Sequence, residues 1–314
     1  MKIFYISLIS LLVFLVACDP PENDDRANEN NVESMQMDIP ETHKIGEFAV
    51  GTQTWTFHRF SVLEAIPKTA ATGAKVIELF PGQQFSPDDD TPFDQHASDE
   101  MIRQVKDSLD AYDLIPVNFG VVGLTNDEEE NRQVFEFAEQ LGVQAITSEP
   151  HEEAMDLIEE LVQEYDIMLA IHNHFKGWDA MAAGYDWLDE DEYLHWDPEY
   201  VHSLVEGRDE RIGASADIGH FIRSDLDPLE ALQTLEGRII SVHFSDVEQF
   251  GPEGEDTAAG TGVGDLVGVL DELKRQNFGG NISIEYETNW YDNVPDVAQF
   301  IGYIRGWDDT RKAE

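Results

Sequence analysis

Cysteine and positive charge are what this sequence has least of. A single cysteine, Cys18, stands in 314 residues, and 19 Lys and Arg face 65 Asp and Glu, for a formal charge of −46. With one thiol the chain forms no internal disulfide, and a metal site has to be built from imidazole and carboxylate. The shortage of base excludes nucleic acid as a partner, because that affinity rests on Lys and Arg meeting phosphates. A surface dominated by carboxylates keeps the chain soluble and suits a high-salt milieu where bare charges are screened, so a halophilic origin is expected. A glycine-rich phosphate turn is also missing: the first strand-like run leads into GTQTWTF (51–57). That argues against an open, doubly wound dinucleotide-binding sheet.

What is present begins with MKIFYISLISLLVFLVAC, one lysine followed by an apolar run too short for a membrane span, which reads as a secretory signal. Leu15-Val16-Ala17-Cys18 resembles the lipobox of bacterial lipoproteins, which implies that residues 1–17 are a signal peptide and that Cys18 is lipidated. The expected localisation is therefore a membrane-anchored lipoprotein on the periplasmic or cell-surface side, touching the membrane only through that anchor. Residues 18–43 are acidic, amide-rich and poor in large apolar residues, so they are expected to be a flexible tether, with the folded domain spanning 44–314.

From residue 48 onward β-branched or apolar runs alternate with amphipathic stretches. The strand candidates are 48–55, 75–80, 114–121, 143–148, 167–173, 212–217, 238–244 and 281–287. Helix candidates of period 3.6 follow at 61–72, 99–112, 129–141, 152–165, 198–206, 228–235, 265–276 and 294–305. Asp197-Pro198 and Asp227-Pro228 carry the acid and proline that open helices. Such an alternation predicts an α/β fold, a single-domain (β/α)₈ TIM barrel. One connection, between His174 and Asp197, is long and rich in aromatics, including Trp178, Trp187 and Trp196, and is expected to cover a sugar ring.

In such barrels the chemistry gathers at the C-terminal strand ends. Those ends offer His58 and Arg59 after the first strand, Glu78 and Gln83 at the second, Glu149 at the fourth, and His172 and His174 at the fifth. Asp217 and His220 follow at the sixth, His243 and Asp246 at the seventh, Glu285 and Glu287 at the eighth. His172, Asp217, His243 and Glu285 come from four consecutive strands and form a candidate site for Mn, Mg, Co or Zn. Two anionic and two neutral ligands leave room for two substrate oxygens, an arrangement suited to a hydroxyketone. Singly, an acid at a strand end is more often a helix cap and a histidine more often a hydrogen-bonded rim residue. Glu78 and Glu149 are open between outer support, substrate contact and filler of the barrel mouth.

The stretches GTQTWTF, VIELFPGQ, ITSEP, AIHNH, RIGASADIGHFIRSDLDPLEAL, GRIISVHFSD, GTGVGD and SIEYETNW resemble the sugar phosphate isomerase/epimerase family of the xylose isomerase-like barrel superfamily, over 46–306. In ketose 3-epimerases of that superfamily the fifth to eighth strands give Glu, Asp, His and Glu to a metal, and the two Glu move the proton. The resemblance implies that Asp217, His243 and Glu285 are ligands and that His220 contacts substrate hydroxyls. It places His172 where those enzymes have Glu, so the catalytic candidates are Glu285, with Glu149 or His172 in place of the second glutamate. Work outside the cytoplasm and an acidic rim argue against a phosphorylated sugar despite the family name, so the expected substrate is a non-phosphorylated sugar or keto-sugar, with His220, Arg59, His58, Gln83, Glu78, His174, Asp246 and Trp196 as candidate contacts. The implied reaction is isomerisation or epimerisation through α-proton abstraction. Elimination from 3-keto-glycosides or inosose-like substrates, and non-catalytic sugar binding, are the alternatives.

Overall fold

The computed structural model describes residues 36–179 and 193–312. The expected signal segment, Cys18, most of the tether and Trp187 lie outside the described residues. Each strand candidate is a strand: β1 (Phe48–Gln53), β2 (Val76–Leu79), β3 (Ile115–Val122), β4 (Ala145–Ser148), β5 (Met168–His172), β6 (Ile212–Asp217), β7 (Ile239–Phe244) and β8 (Asn281–Ile284). Neighbours pair in parallel in chain order and β8 pairs with β1, which closes an eight-stranded barrel. Helices α1 (Val62–Ala71), α2 (Asp99–Ala111), α3 (Glu128–Leu141), α4 (Met155–Tyr165), α5 (Pro198–Val205), α6 (Pro228–Thr234), α7 (Leu266–Arg275) and α8 (Val294–Arg311) surround it. Both acid–proline starts work as expected, Asp197 accepting from the Glu199 amide and Asp227 from the Leu229 amide.

Strand alternation sorts the side chains. On β5, Leu169 and Ile171 join the large core between barrel and helices, whereas Met168 and Ala170 belong to a second cluster with Ala49, Val76, Val117 and Ala145. His172 is in step with Met168 and Ala170, since residues two apart share a face. The same step puts Asp217 above Ser215, His243 above Ser241 and Glu285 above Ser283, all buried or nearly so. The lumen is therefore apolar at the bottom, small and hydroxylic in the middle, and ionisable at the top.

Three pieces go beyond the sequence reading. The segment 36–43, assigned to the tether, is folded: Met37 and Ile39 are each 5% exposed and pack into the second cluster. The Met37 amide donates to the Gly279 carbonyl and the Asp38 amide to Gln144 Oε1. Ala49, Ala145 and Ala170 leave the bottom of the lumen open, and those two side chains fill it. A hairpin, Gln83–Ser86 with Asp89–Phe93, follows β2; its prolines and acids hide the pattern, while Phe85 and Phe93 are buried. A short helix, Ile218–Arg223, follows β6 directly. Gly219 permits it to dock, because a Cβ there would lie 2.2 Å from Ser245 Oγ. Among the described residues no helix is long and apolar enough to cross a membrane.

A candidate metal centre at the mouth of the barrel

His172, Asp217, His243 and Glu285 each bring one ligand atom to a common point, with all of these atoms within 4.8 Å of one another. His172 Nε2 and His243 Nδ1 face each other at 3.2 Å, each stands 3.7 Å from Asp217 Oδ2, and Glu285 Oε2 lies 2.8 Å from His243 Nδ1. Asp217 acts with both oxygens: Oδ1 accepts from the His220 amide at 2.7 Å and caps the short helix, and Oδ2 faces the cluster. The two readings of a strand-end acid, cap and ligand, are both realised in this one residue.

Each histidine has a carboxylate at its far nitrogen. Glu149 Oε1 lies 3.0 Å from His172 Nδ1 and Glu78 Oε2 lies 3.1 Å from His243 Nε2, the latter close but without the alignment of a hydrogen bond. Glu78 is itself held by Thr147 Oγ1, which donates to its Oε1 at 2.8 Å. Carboxylates in this position fix the tautomer and aim the other nitrogen at a metal. Burial works against charge on these rings, yet the carboxylates of Asp217 and Glu149 push His172 up to about 9. Burial is likewise outweighed at His243, which Glu78 and Glu285 hold well above the usual histidine range. Two protons cannot both point across the 3.2 Å gap between these rings. One divalent cation at that point satisfies both nitrogens and both inner carboxylates, so the residues fit a metal.

A cavity of about 390 Å³ opens beside the cluster. His172 and Glu285 reach it from the cluster, His174 and His220 border it, and Trp55 and Trp178 flank it. His174 Nδ1 is 2.8 Å from Glu149 Oε1, and its ring stacks on Trp178 with centroids 3.6 Å apart. His220 Nδ1 is buried with no protein partner among the described residues, and burial pushes the ring well below the usual histidine range. A neutral imidazole on the cavity wall is suited to a substrate hydroxyl.

Other expected contacts lie elsewhere. Glu149 is sealed behind the histidines, its Oε1 shared by His172, His174 and the Tyr193 hydroxyl, and it does not line the cavity. Gln83 is turned inward to donate to the Phe60 carbonyl, pinning the hairpin to the loop after β1. Asp246 accepts from the amides of Gly260, Gly262 and Gly264 and holds their loop. Trp196 lies under Lys176 Nζ, Arg59 is exposed and off the cavity wall, and His58 sits on the rim against Trp55. Gln53 and Tyr193 were not among the expected contacts, and Glu287, named at the end of the eighth strand, had been given no role. Glu287 lines the cavity and accepts from Trp55 Nε1 at 3.0 Å, and burial, with Glu285 and Asp256 nearby, pushes its carboxyl up to about 8. Its spacing of two from Glu285 was the available signal. Tyr193 sits at the end of a long loop and had none.

Among solved structures the chain is similar to an uncharacterised protein from Parabacteroides distasonis, with 31% identity over 83% of this chain and 99% of that one, TM-score 0.64. It is similar in fold to a D-tagatose 3-epimerase-like protein, 18% identical over 83% and 98%, TM-score 0.60. It also resembles an IolI protein with a bound zinc atom, 16% identical over 83% and 98%, TM-score 0.57. No curated protein matches significantly. The family model for the xylose isomerase-like TIM barrel matches residues 66–305, and the chain belongs to that family.

Proposed function

We propose that the protein is a metal-dependent enzyme of the sugar isomerase/epimerase type, which removes the proton next to a carbonyl of a non-phosphorylated sugar or keto-sugar. The observation that carries this is the pair of histidines, each backed by a carboxylate, converging with Asp217 and Glu285 on the wall of a cavity. A divalent ion held by His172, Asp217, His243 and Glu285 would supply Lewis-acid polarisation of a carbonyl and its neighbouring hydroxyl. Glu285 is the carboxylate of the cluster that borders the cavity, and it is assigned as the base that takes the α-proton. His220 orients a hydroxyl, and His174, steadied by Glu149 and Trp178, presents a second ring beside it. The cavity wall carries glutamates and histidines but neither Lys nor Arg among the described residues, so a phosphate would find no counter-charge there. The D-tagatose 3-epimerase-like and zinc-bound IolI structures support the reading as neighbours in fold.

Elimination is the second reading, and His172 favours it. Inverting a carbon with two bases requires one on each face, and β5 offers an imidazole committed to the cluster, with Glu149 behind it. A single base suffices to take a proton and let a β-substituent depart, as from a 3-keto-glycoside. The sequence of the N-terminal segment adds the proposal that the enzyme works from a lipid anchor at Cys18. NMR in D₂O with metal-supplemented protein and a panel of ketoses and 3-keto-glycosides tests the chemistry. An inverted centre or solvent deuterium at the α-carbon is expected, loss of the β-substituent selects the second reading, and the absence of both with every substrate refutes the assignment.

A further inference from the structure

The cavity does not end at its inner wall. Trp55, 39% exposed, forms part of that wall and leads outward onto a strip of aromatic rings. Its indole meets Phe80 edge-on at 5.3 Å and stacks on His58 at 4.4 Å with the planes 19° apart. His58 in turn meets Trp290 edge-on at 4.4 Å, and the next residue, Tyr291, is 74% exposed and meets Phe60. Apart from Phe80, which follows β2, the strip is built on the loops after β8 and β1, which are neighbours in the barrel, and these two loops are locked together. The Tyr286 amide donates to Thr56 Oγ1 at 2.9 Å, and Asn293 Nδ2 donates to the Thr56 carbonyl at 2.8 Å. His58 is fixed by its Nδ1 to the Trp55 carbonyl at 2.8 Å, and the indole by its N–H to Glu287. These rings are therefore pre-set rather than loosely exposed, and a ligand need not order them.

We propose that this strip is a second carbohydrate subsite, so that the substrate is a two-ring glycoside with its reacting ring in the cavity and its other ring on Trp55 and Trp290. The inference rests on the carbohydrate reading above and specifies its substrate class. Three observations carry it. Trp55 belongs at once to the cavity wall and to the strip, so a ligand in the cavity is continuous with the rings outside it. Trp55 is held by His58 and Phe80 yet stays 39% exposed, and the C–H face of a pyranose is a partner that a flat indole with a polar edge accepts. The cavity, at about 390 Å³, is in the range drug-sized ligands fill, more than a lone hexose needs.

The test is calorimetry of the full-length, metal-supplemented protein with matched probes: methyl glycosides, disaccharides containing the same ring, and 4-nitrophenyl glycosides, in gluco, galacto and xylo series. At least one disaccharide should bind about tenfold more tightly than its methyl glycoside, the size of one good stacking contact. Trp55→Ala and Trp290→Ala should each reduce that ratio severalfold, and Trp55→Phe should retain it, with melting temperature reporting that each variant folds. Methyl glycosides that match their disaccharides, no binding by any disaccharide, or a ratio unchanged in both alanine variants would overturn the subsite. Tighter binding of the nitrophenyl compounds than of every disaccharide would overturn it too, in favour of an aromatic aglycone. Deuterium exchange on one-ring sugars without a two-ring preference sinks the subsite alone. A two-ring preference without exchange or elimination sinks the enzyme assignment alone.

Discussion

Glu78 touches no cavity, yet its loss should be read at the metal. Its side chain is 0% exposed, with Oε1 held by Thr147 and Oε2 3.1 Å from His243 Nε2. Glu78→Gln keeps the shape and the Thr147 contact but removes the charge behind His243. Outer partners of metal-bound histidines are worth about 10–100-fold in metal affinity. The isosteric change should lie near the lower end, about tenfold or about 1.4 kcal/mol. Glu78→Ala, which also leaves His243 free to turn in a dry pocket, should approach about 100-fold. Competition against a chromophoric chelator for Zn²⁺ or Co²⁺ measures this, with the exposed Glu139→Gln as a control expected to show no change. The deficit has a pH signature. Burial opposes charge on His243 but Glu78 raises its proton affinity, so in the wild type a metal must displace a tightly held proton as pH falls. The variant has less proton to displace, so its deficit should shrink in acid and widen in base. Wild-type affinity in both Glu78 variants, or a deficit that grows in acid, would refute the outer-carboxylate argument.

Asp217→Asn and Asp217→Ala should both lose stoichiometric metal by elemental analysis, but only alanine also removes the cap on the His220 amide. Alanine should therefore unfold at about 1 kcal/mol less stability than asparagine, seen as a few degrees in the melting temperature of metal-free protein; equal melting points would remove the cap from the account. Met37→Ala should lower stability by about 2–5 kcal/mol, because the residue fills the bottom of the lumen, and a chemical denaturation midpoint equal to wild type would return it to the tether. Cys18→Ser should abolish incorporation of labelled fatty acid in the producing cell; labelling that persists would sink the anchor proposal.

The strands were legible because a barrel in which both faces are covered writes each one as a short β-branched run, such as IMLAIHN or RIISVHF. The ligand quartet was legible for a related reason. His172, Asp217, His243 and Glu285 each stand within one residue of a strand's C-terminal end in the inward step, so equivalent positions in the sequence became neighbours in space. What the sequence hid depends on which atom faces where. Nothing in it separates Asp217 Oδ1, a cap, from Oδ2, a cluster atom. Gln83 and Asp246 also stand after strand ends, but their side chains turn back to satisfy loop backbone, a choice made by loop geometry and not by residue type. The hairpin after β2 was hidden because its acids and prolines outnumber the two phenylalanines that anchor it.

Replacing a carboxylate by His172 on β5 changes the charge of the site less than it changes its chemistry. Asp217 and Glu285 bring two negative charges to the cluster, and Glu149 and Glu78 bring two more one residue further out, each against an imidazole. A divalent cation offsets half of that, and the nearest buried guanidinium, Arg223, pairs with Asp256 and stands 3.9 Å from Glu287 behind the cavity wall. The mouth of the barrel therefore keeps a negative field in a region of low dielectric, where such charges act over several ångströms. An anionic substrate would meet that field with no cation on the cavity wall, whereas a neutral sugar meets aromatic faces and polar edges. Under the proposed function the imidazole would leave one side of the substrate without a base, with the charge kept behind it at Glu149. A metal held here would still polarise a carbonyl while proton transfer would fall to Glu285, and the D₂O experiment tests that asymmetry.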